Sequence, residues 1–208
     1  LVMVVKSSPA VSFATSATET GPFTHKTTIY PNHNWVGDLT VFVDPQQPAN
    51  AYLIYSIRPG GPTEADRHIV TAKLTPDWLG VDSGEPVSQI RDPREAPAAF
   101  FVPSIGYFIW TSHVTGWKPN AASVYFAESI ESETWTPLGN PTHNATSFSS
   151  QSTFLLPVNG SVIYIADRFE PYIERKVSPR YVWLPVTNIS KSSITVAWAS
   201  EWRLPRVL

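Results

Sequence analysis

Three polar side chains recur at a near-constant interval. Asp38, Glu95 and Gln151 are separated by 57 and 56 residues. Each leads a short apolar run: Leu-Thr-Val-Phe-Val after Asp38, Ala-Pro-Ala-Ala-Phe-Phe-Val after Glu95, and Ser-Thr-Phe-Leu-Leu after Gln151. Carboxyl groups that meet in a pocket are the apparatus of glycoside hydrolysis, in which a carboxylic acid protonates the departing oxygen. The competing reading is plainer: Asp and Gln are common, solvated residues of the turns that lead into strands.

Other chemistries find less support. There is no cysteine, so disulfides, zinc thiolates and thiol nucleophiles are excluded. The five histidines, His25, His33, His68, His113 and His143, form no metal-ligand spacing, and no metal site is expected. His113 ends a strand beside the candidate site and is read as a packed or solvated residue. No glycine-rich phosphate loop and no nucleophile elbow is present.

The elements that would position the three residues are strands. Helical periodicity is almost absent, and the best fragment, Leu74 to Leu79, is broken by Pro76. Strands are expected at Val11–Thr15, Leu39–Val43, Ala51–Ser56, His68–Lys73, Ala98–Val102, Tyr107–Thr111 and Ser123–Ala127. Four more are expected at Thr153–Leu156, Val162–Ala166, Tyr181–Pro185 and Ile194–Trp198, and the opening Leu-Val-Met-Val-Val reads as a further strand. The segments Asn50-Ala-Tyr-Leu-Ile-Tyr-Ser56, Gly106-Tyr-Phe-Ile-Trp-Thr-Ser112 and Gly160-Ser-Val-Ile-Tyr-Ile-Ala-Asp167 echo one another, each after an apolar strand. A second echo joins Val11-Ser-Phe-Ala-Thr-Ser16 to Val124-Tyr-Phe-Ala-Glu-Ser129. A unit of about 50 residues and four strands is the size of a propeller blade. The expected fold is therefore an all-β propeller, one domain over residues 1–208, holding about three blades and part of a fourth. In such a fold, the starts of the first strands of the blades converge on one mouth of the central channel. A β-sandwich with chance similarity is the alternative.

Composition bounds the partners. Lys and Arg number 15, Asp and Glu 17, and the net charge is −2. No basic stripe is available for a nucleic acid. Hydrophobic residues make up 42% and charged residues 15%, enough apolar matter for a core. With 20 prolines and 26 aromatic residues, strands and tight turns are favoured over helices. No apolar run approaches the ~20 residues of a membrane-spanning helix, and no membrane partner is expected. Three N-x-S/T sequons, at Asn144, Asn159 and Asn188, point to a secreted, glycosylated protein.

Several ordered motifs together resemble a known family. They are Arg94-Glu-Ala-Pro97, Gly106-Tyr-Phe-Ile-Trp-Thr-Ser112, Thr115-Gly-Trp-Lys-Pro-Asn120, Ser150-Gln-Ser-Thr153, Asp167-Arg168 and Arg180-Tyr-Val-Trp-Leu-Pro185. Asp38-Leu-Thr-Val-Phe-Val43 and Gly21-Pro-Phe23 add to them. The set is similar to glycoside hydrolase family 43, in its exo-β-1,3-galactanase branch (subfamily 24). The resemblance runs from about residue 10 to about residue 202.

The resemblance implies a five-bladed propeller and an inverting exo-acting hydrolase that releases galactose from the β-1,3-galactan of arabinogalactan proteins. It implies Glu95 as general acid and Asp38 as the residue that tunes that acid and orients substrate. Most of the family has an Asp as general base in the first blade; the resemblance implies that the galactanase branch lacks it and carries a Gln at the Ser-Gln-Ser-Thr position, here Gln151. An amide has no useful basicity, so Gln151 either positions the water or acts as a base only in its imidic tautomer. Trp117, Asn120 and Thr115 resemble a sugar-binding loop, with packing between blades as the other reading of Trp117. Arg168 either reaches the same mouth or pairs with Asp167 or Glu170. Tyr181 and Trp183 are expected to be structural. No cofactor is required, and calcium, held by some relatives, has no clear ligand cluster here.

Relatives carry a blade and the first strand of another ahead of the position of Leu1, including a Glu-Arg-Pro motif that this chain lacks. Missing blades or a further domain are expected, and turnover by these 208 residues alone is left open. Alternatives are an α-L-arabinofuranosidase or β-xylosidase of the same family, which Gln151 disfavours, and an inactive truncated hydrolase serving as a carbohydrate-binding module.

Overall fold

The computed structural model describes residues 1–7, 9–33, 35–58, 66–82, 86–168 and 180–204. Fourteen strands form four antiparallel sheets, and one 3-10 turn, Pro31–His33, is the helical content of the described residues. The all-β expectation is met. Two compact units divide the chain: residues 1–95 with 130–134, and residues 96–129 with 135–208.

The first unit holds two sheets. One is β1 (Val2–Ser7), β2 (Ala10–Thr15) and β3 (Thr24–Ile29), in that order. The other is β4 (Trp35–Val43), β5 (Ala51–Arg58), β6 (His68–Lys73) and β7 (Ser88–Ile90), also in order. Central strand β5 is apolar from Ala51 to Tyr55 because both its faces are covered; Leu53, Ile54 and Tyr55 are fully buried. Val11 and Phe13 of β2 join Leu53, Tyr55 and Val70 in one core. Residues 130–134 belong here because Ser88 Oγ donates to the Ser132 carbonyl at 2.6 Å and the Tyr52 hydroxyl donates to Glu131 at 2.7 Å.

The second unit also holds two sheets. β8 (Arg94–Val102), β9 (Gly106–His113), β10 (Ser123–Ala127) and β11 (Thr136–Gly139) form one, with β8 starting two residues before the unit boundary. β12 (Gln151–Val158), β13 (Ser161–Arg168) and β14 (Arg180–Val186) form the other. Their core stacks Trp110 on Tyr164, ring centroids 4.5 Å apart, and Phe100 on Phe108 at 4.9 Å.

The three-fold echo in the sequence falls on equivalent strands. β5, β9 and β13 are second strands of their sheets, and each follows a first strand, β4, β8 or β12. One expected strand is corrected. Ile194–Trp198 is not a strand; Thr195 forms a single bridge with Thr187, and Val196 N–H donates to the Pro141 carbonyl. Ile194 and Val196 are buried against the core, so their alternation reflects packing of an irregular segment.

Candidate functional site

Asp38, Glu95 and Gln151 each lie in the first strand of a sheet. Asp38 is set by a bulge in β4: pairing with β5 slips between Val36 and Leu39, which re-aims the side chains in between. Glycine at 37 lets the bulge lie close against β5: a Cβ there would stand 2.3 Å from Ser56 Oγ and 3.3 Å from the Ser56 carbonyl, so the Ser56 hydroxyl would have to move. Half-buried Asp38 accepts from Lys6 Nζ at 3.3 Å.

Glu95 is the second residue of β8 and is 7% exposed. Its carboxylate accepts from the guanidinium of Arg67, which is buried to the same degree. The Arg94 N–H also donates to the Arg67 carbonyl at 3.2 Å. Main chain and side chain thus tie the start of β8 to the segment before β6. Ala96, the next residue, has φ of 50°, a left-handed conformation rare for a residue with a Cβ. Its carbonyl accepts from Ser152 Oγ at 2.8 Å. Arg67 escaped the sequence reading: it sits in a charged stretch 28 residues upstream, and no spacing marks it as a partner of Glu95.

Half-buried Gln151 opens β12, and its amide nitrogen donates to Ser112 Oγ on β9 at 2.9 Å. It pairs in register with Asp167, whose carboxyl lies above its ordinary range because of partial burial. Just upstream, Ser147, Phe148 and Ser149 all have positive φ, at 48°, 62° and 57°. Backbone strain of this kind costs about 1–3 kcal/mol per residue and persists where surrounding bonds over-determine it. Asn144 supplies several of those bonds. Its Oδ1 accepts from the Thr146 N–H, the Thr146 hydroxyl and the Phe148 N–H. Ser150 Oγ donates to the Ser147 carbonyl at 2.5 Å and lies 3.2 Å from the Tyr164 hydroxyl. Burial pushes the Tyr164 phenol up to about 12, so it remains a neutral hydroxyl.

Thr115, Trp117 and Asn120 share the β9–β10 loop. Trp117 is 71% exposed. Asn120 does not present its amide to a ligand. Its Oδ1 accepts from the His113 N–H at 2.8 Å, and its Nδ2 donates to the His113 carbonyl and to Thr115 Oγ1, both at 2.7 Å. Thr115 in turn donates to the Lys118 carbonyl at 2.6 Å. Both side chains shape the loop that displays the indole. Arg168 stands over the Trp198 ring, 5.3 Å from its centroid, a cation–π partner the sequence did not indicate. Glu170, its other expected partner, lies outside the described residues. Tyr181 and Trp183 differ from the structural role expected of them, since they are 63% and 53% exposed.

Among the sequons, Asn159 and Asn188 are exposed, both with positive φ. Asn144 is the exception, its side-chain oxygen engaged as described. No group of His, Cys, Asp or Glu able to hold a metal occurs among the described residues. No described helix is long and apolar enough to cross a membrane.

His68, at the start of β6 beside Arg67, titrates below its ordinary 6.5, chiefly through burial and in spite of its bond to the Asp66 carbonyl. The unfolded chain therefore binds a proton here more readily than the folded one, and stability falls as pH drops through the ordinary histidine range. His68→Gln is expected to shrink the difference in urea midpoint between pH 7.5 and pH 5. An unchanged difference would remove His68 from the acid response.

The sequence matches no protein-family model and no curated protein. Solved structures do match. A GH43 β-1,3-galactosidase aligns over 96% of this chain and 41% of its own, with TM-score 0.79 and 28% identity. The exo-β-1,3-galactanase of Phanerochaete chrysosporium, in a complex with β-1,3-galactotriose, aligns over 90% of this chain and 41% of its own, with TM-score 0.76 and 28% identity. That of Clostridium thermocellum aligns over 92% and 43%, with TM-score 0.74 and 26% identity. The chain thus spans about two fifths of the length of these proteins. By fold and by sequence the chain is galactanase-like, resembling the exo-β-1,3-galactanases of glycoside hydrolase family 43.

Proposed function

We propose that the chain is the catalytic part of an inverting glycosidase that releases galactose from β-1,3-galactan. The observation that carries this is the match of nearly the whole chain to solved β-1,3-galactosidases and exo-β-1,3-galactanases, one of them holding β-1,3-galactotriose. In this reading Glu95 protonates the departing glycosidic oxygen. In the resting chain it is half of a charge pair with Arg67, so donation requires a proton to be taken up and the pair to be broken. Asp38 tunes that acid and orients the sugar. Gln151, its amide fixed on Ser112, holds the attacking water by hydrogen bonds. Trp117 offers its ring to the C–H face of a galactose, on a loop held rigid by Asn120 and Thr115. Arg168 lies at the edge of the same sugar surface.

The four sheets are read as blades of the family's propeller, about three and part of a fourth within these residues. The substrate is the galactan backbone of arabinogalactan proteins, met outside the cell, and the exposed Asn159 and Asn188 are the favoured glycan acceptors. Hydrolysis by this route needs no cofactor.

The test is galactose release from β-1,3-galactotriose, beside aryl α-L-arabinofuranoside and β-xyloside. The proposal expects release from the galactoside alone. Cleavage of a pentoside instead would transfer the chain to another activity of the family. Binding without cleavage would make it a carbohydrate-binding remnant. Trp117→Ala is expected to raise KM about tenfold, equivalent to about 1.4 kcal/mol of lost stacking, with kcat little changed. An unchanged KM would return Trp117 to a packing role.

A further inference from the structure

We infer that Ser147 is a positioning residue for Gln151: its hydroxyl clamps the left-handed turn 147–149 to the β9–β10 loop and so sets where the Gln151 amide stands against Ser112. The functional half of this rests on the reading of Gln151 as the group that holds water.

Ser147 is 1% exposed. Its Oγ donates to the Asn120 carbonyl and accepts from the Ala122 N–H, both at 2.9 Å. Four residues later Gln151 Nε2 donates to Ser112 Oγ at 2.9 Å, and Ser112 Oγ donates to the His113 carbonyl at 3.1 Å. Asn120 and His113 are themselves joined by two side-chain bonds. The segment 147–151 is therefore fastened at both ends to one hairpin, β9 with its following loop. Between the fastenings, Ser150 Oγ closes on the Ser147 carbonyl. Three consecutive non-glycine residues with positive φ do not hold that shape unaided, because a Cβ in the left-handed region crowds the following carbonyl. Losing the hydroxyl at 147 frees the near end of the clamp and lets the turn relax, which carries the Gln151 amide away from Ser112.

Two variants separate the hydroxyl from the backbone. Ser147→Ala keeps the strain and loses the bonds. Ser147→Gly loses the bonds but accepts a φ of 48° freely, which protects folding. The first readout is the pair of side-chain amide signals of Gln151 in a 1H–15N spectrum, identified by their disappearance in Gln151→Glu. In both variants these signals are expected to move toward the position of free glutamine and to exchange faster with water. The second readout is turnover of β-1,3-galactotriose. Here kcat is expected to fall about tenfold or more with KM unchanged, as for a misplaced reacting group. Neither substitution should lower kcat further in a Gln151→Ala background.

Unmoved amide signals in both variants overturn the inference, whether or not the chain turns over substrate. A loss of kcat that adds in full to that of Gln151→Ala also overturns it. Released amide signals with unchanged turnover support the clamp and overturn the role given to Gln151.

Discussion

Glu95→Gln is expected to lower galactose release from β-1,3-galactotriose by about 10²–10⁴-fold, the range for loss of a general acid. The amide keeps the size of the carboxyl and can still accept from Arg67, but it removes the countercharge of a buried guanidinium, so the variant is expected to be less stable and, where folded, to keep its oligosaccharide binding. The loss should depend on the leaving group. A galactoside with an acidic phenol departs without protonation, and on that substrate the variant should lose little. An equal loss on both substrates would mean that Glu95 orients the sugar and does not donate the proton. An unchanged rate on galactotriose would remove Glu95 from the chemistry.

Arg67→Met should be the most damaging single change to stability among those named here. It removes the guanidinium that pairs with the buried Glu95 carboxylate, and breaking one side of a buried ion pair costs about 3–5 kcal/mol. Replacing both partners removes the two charges together, so Arg67→Met with Glu95→Gln should recover much of the loss. Urea unfolding of the two single variants and the double reads this as a coupling energy. The exposed pairs set the contrast. Lys6 with Asp38 and Lys191 with Glu128 stand at 3.3 and 2.5 Å near or at the surface, where such pairs contribute about 0–1 kcal/mol. A loss in Arg67→Met no larger than that, or one unrelieved in the double variant, would contradict the buried pair.

The sequence reveals the central strands because burial on both faces leaves an unbroken apolar record, as in Ala-Tyr-Leu-Ile-Tyr of β5 and Gly-Tyr-Phe-Ile-Trp of β9. Edge strands leave no such record. β3 reads Thr-His-Lys-Thr-Thr-Ile and is largely exposed, while β7 and β11 have three and four residues. The converse error is Ile194–Trp198, where alternating burial comes from an irregular segment lying on the core. Repeat spacing places Asp38, Glu95 and Gln151 in the first strands of three sheets, where the structure has them. It could not show what holds them. The partner of Glu95 comes from the segment before β6, in another sheet, and a guanidinium 28 residues away carries no local signature. The left-handed turn before Gln151 is written Ser-Phe-Ser, with no glycine to betray positive φ. Asn120 has the hydrogen-bonding side chain that its residue type promises, but its bonds are made inside its own loop. Strands and the residues that lead them are thus legible where burial and repetition write them, whereas supporting contacts depend on tertiary placement.

The most direct measurement is the anomeric form of the galactose first released from β-1,3-galactotriose, followed by 1H NMR before mutarotation. Inversion places α-galactose first, from a water held opposite the departing oxygen and not from a covalent intermediate. Early α-galactose is the predicted result. Early β-galactose would require a nucleophile that neither Gln151 nor Asp38 supplies in this account and would contradict it. Bound, uncleaved trisaccharide would contradict the account as well.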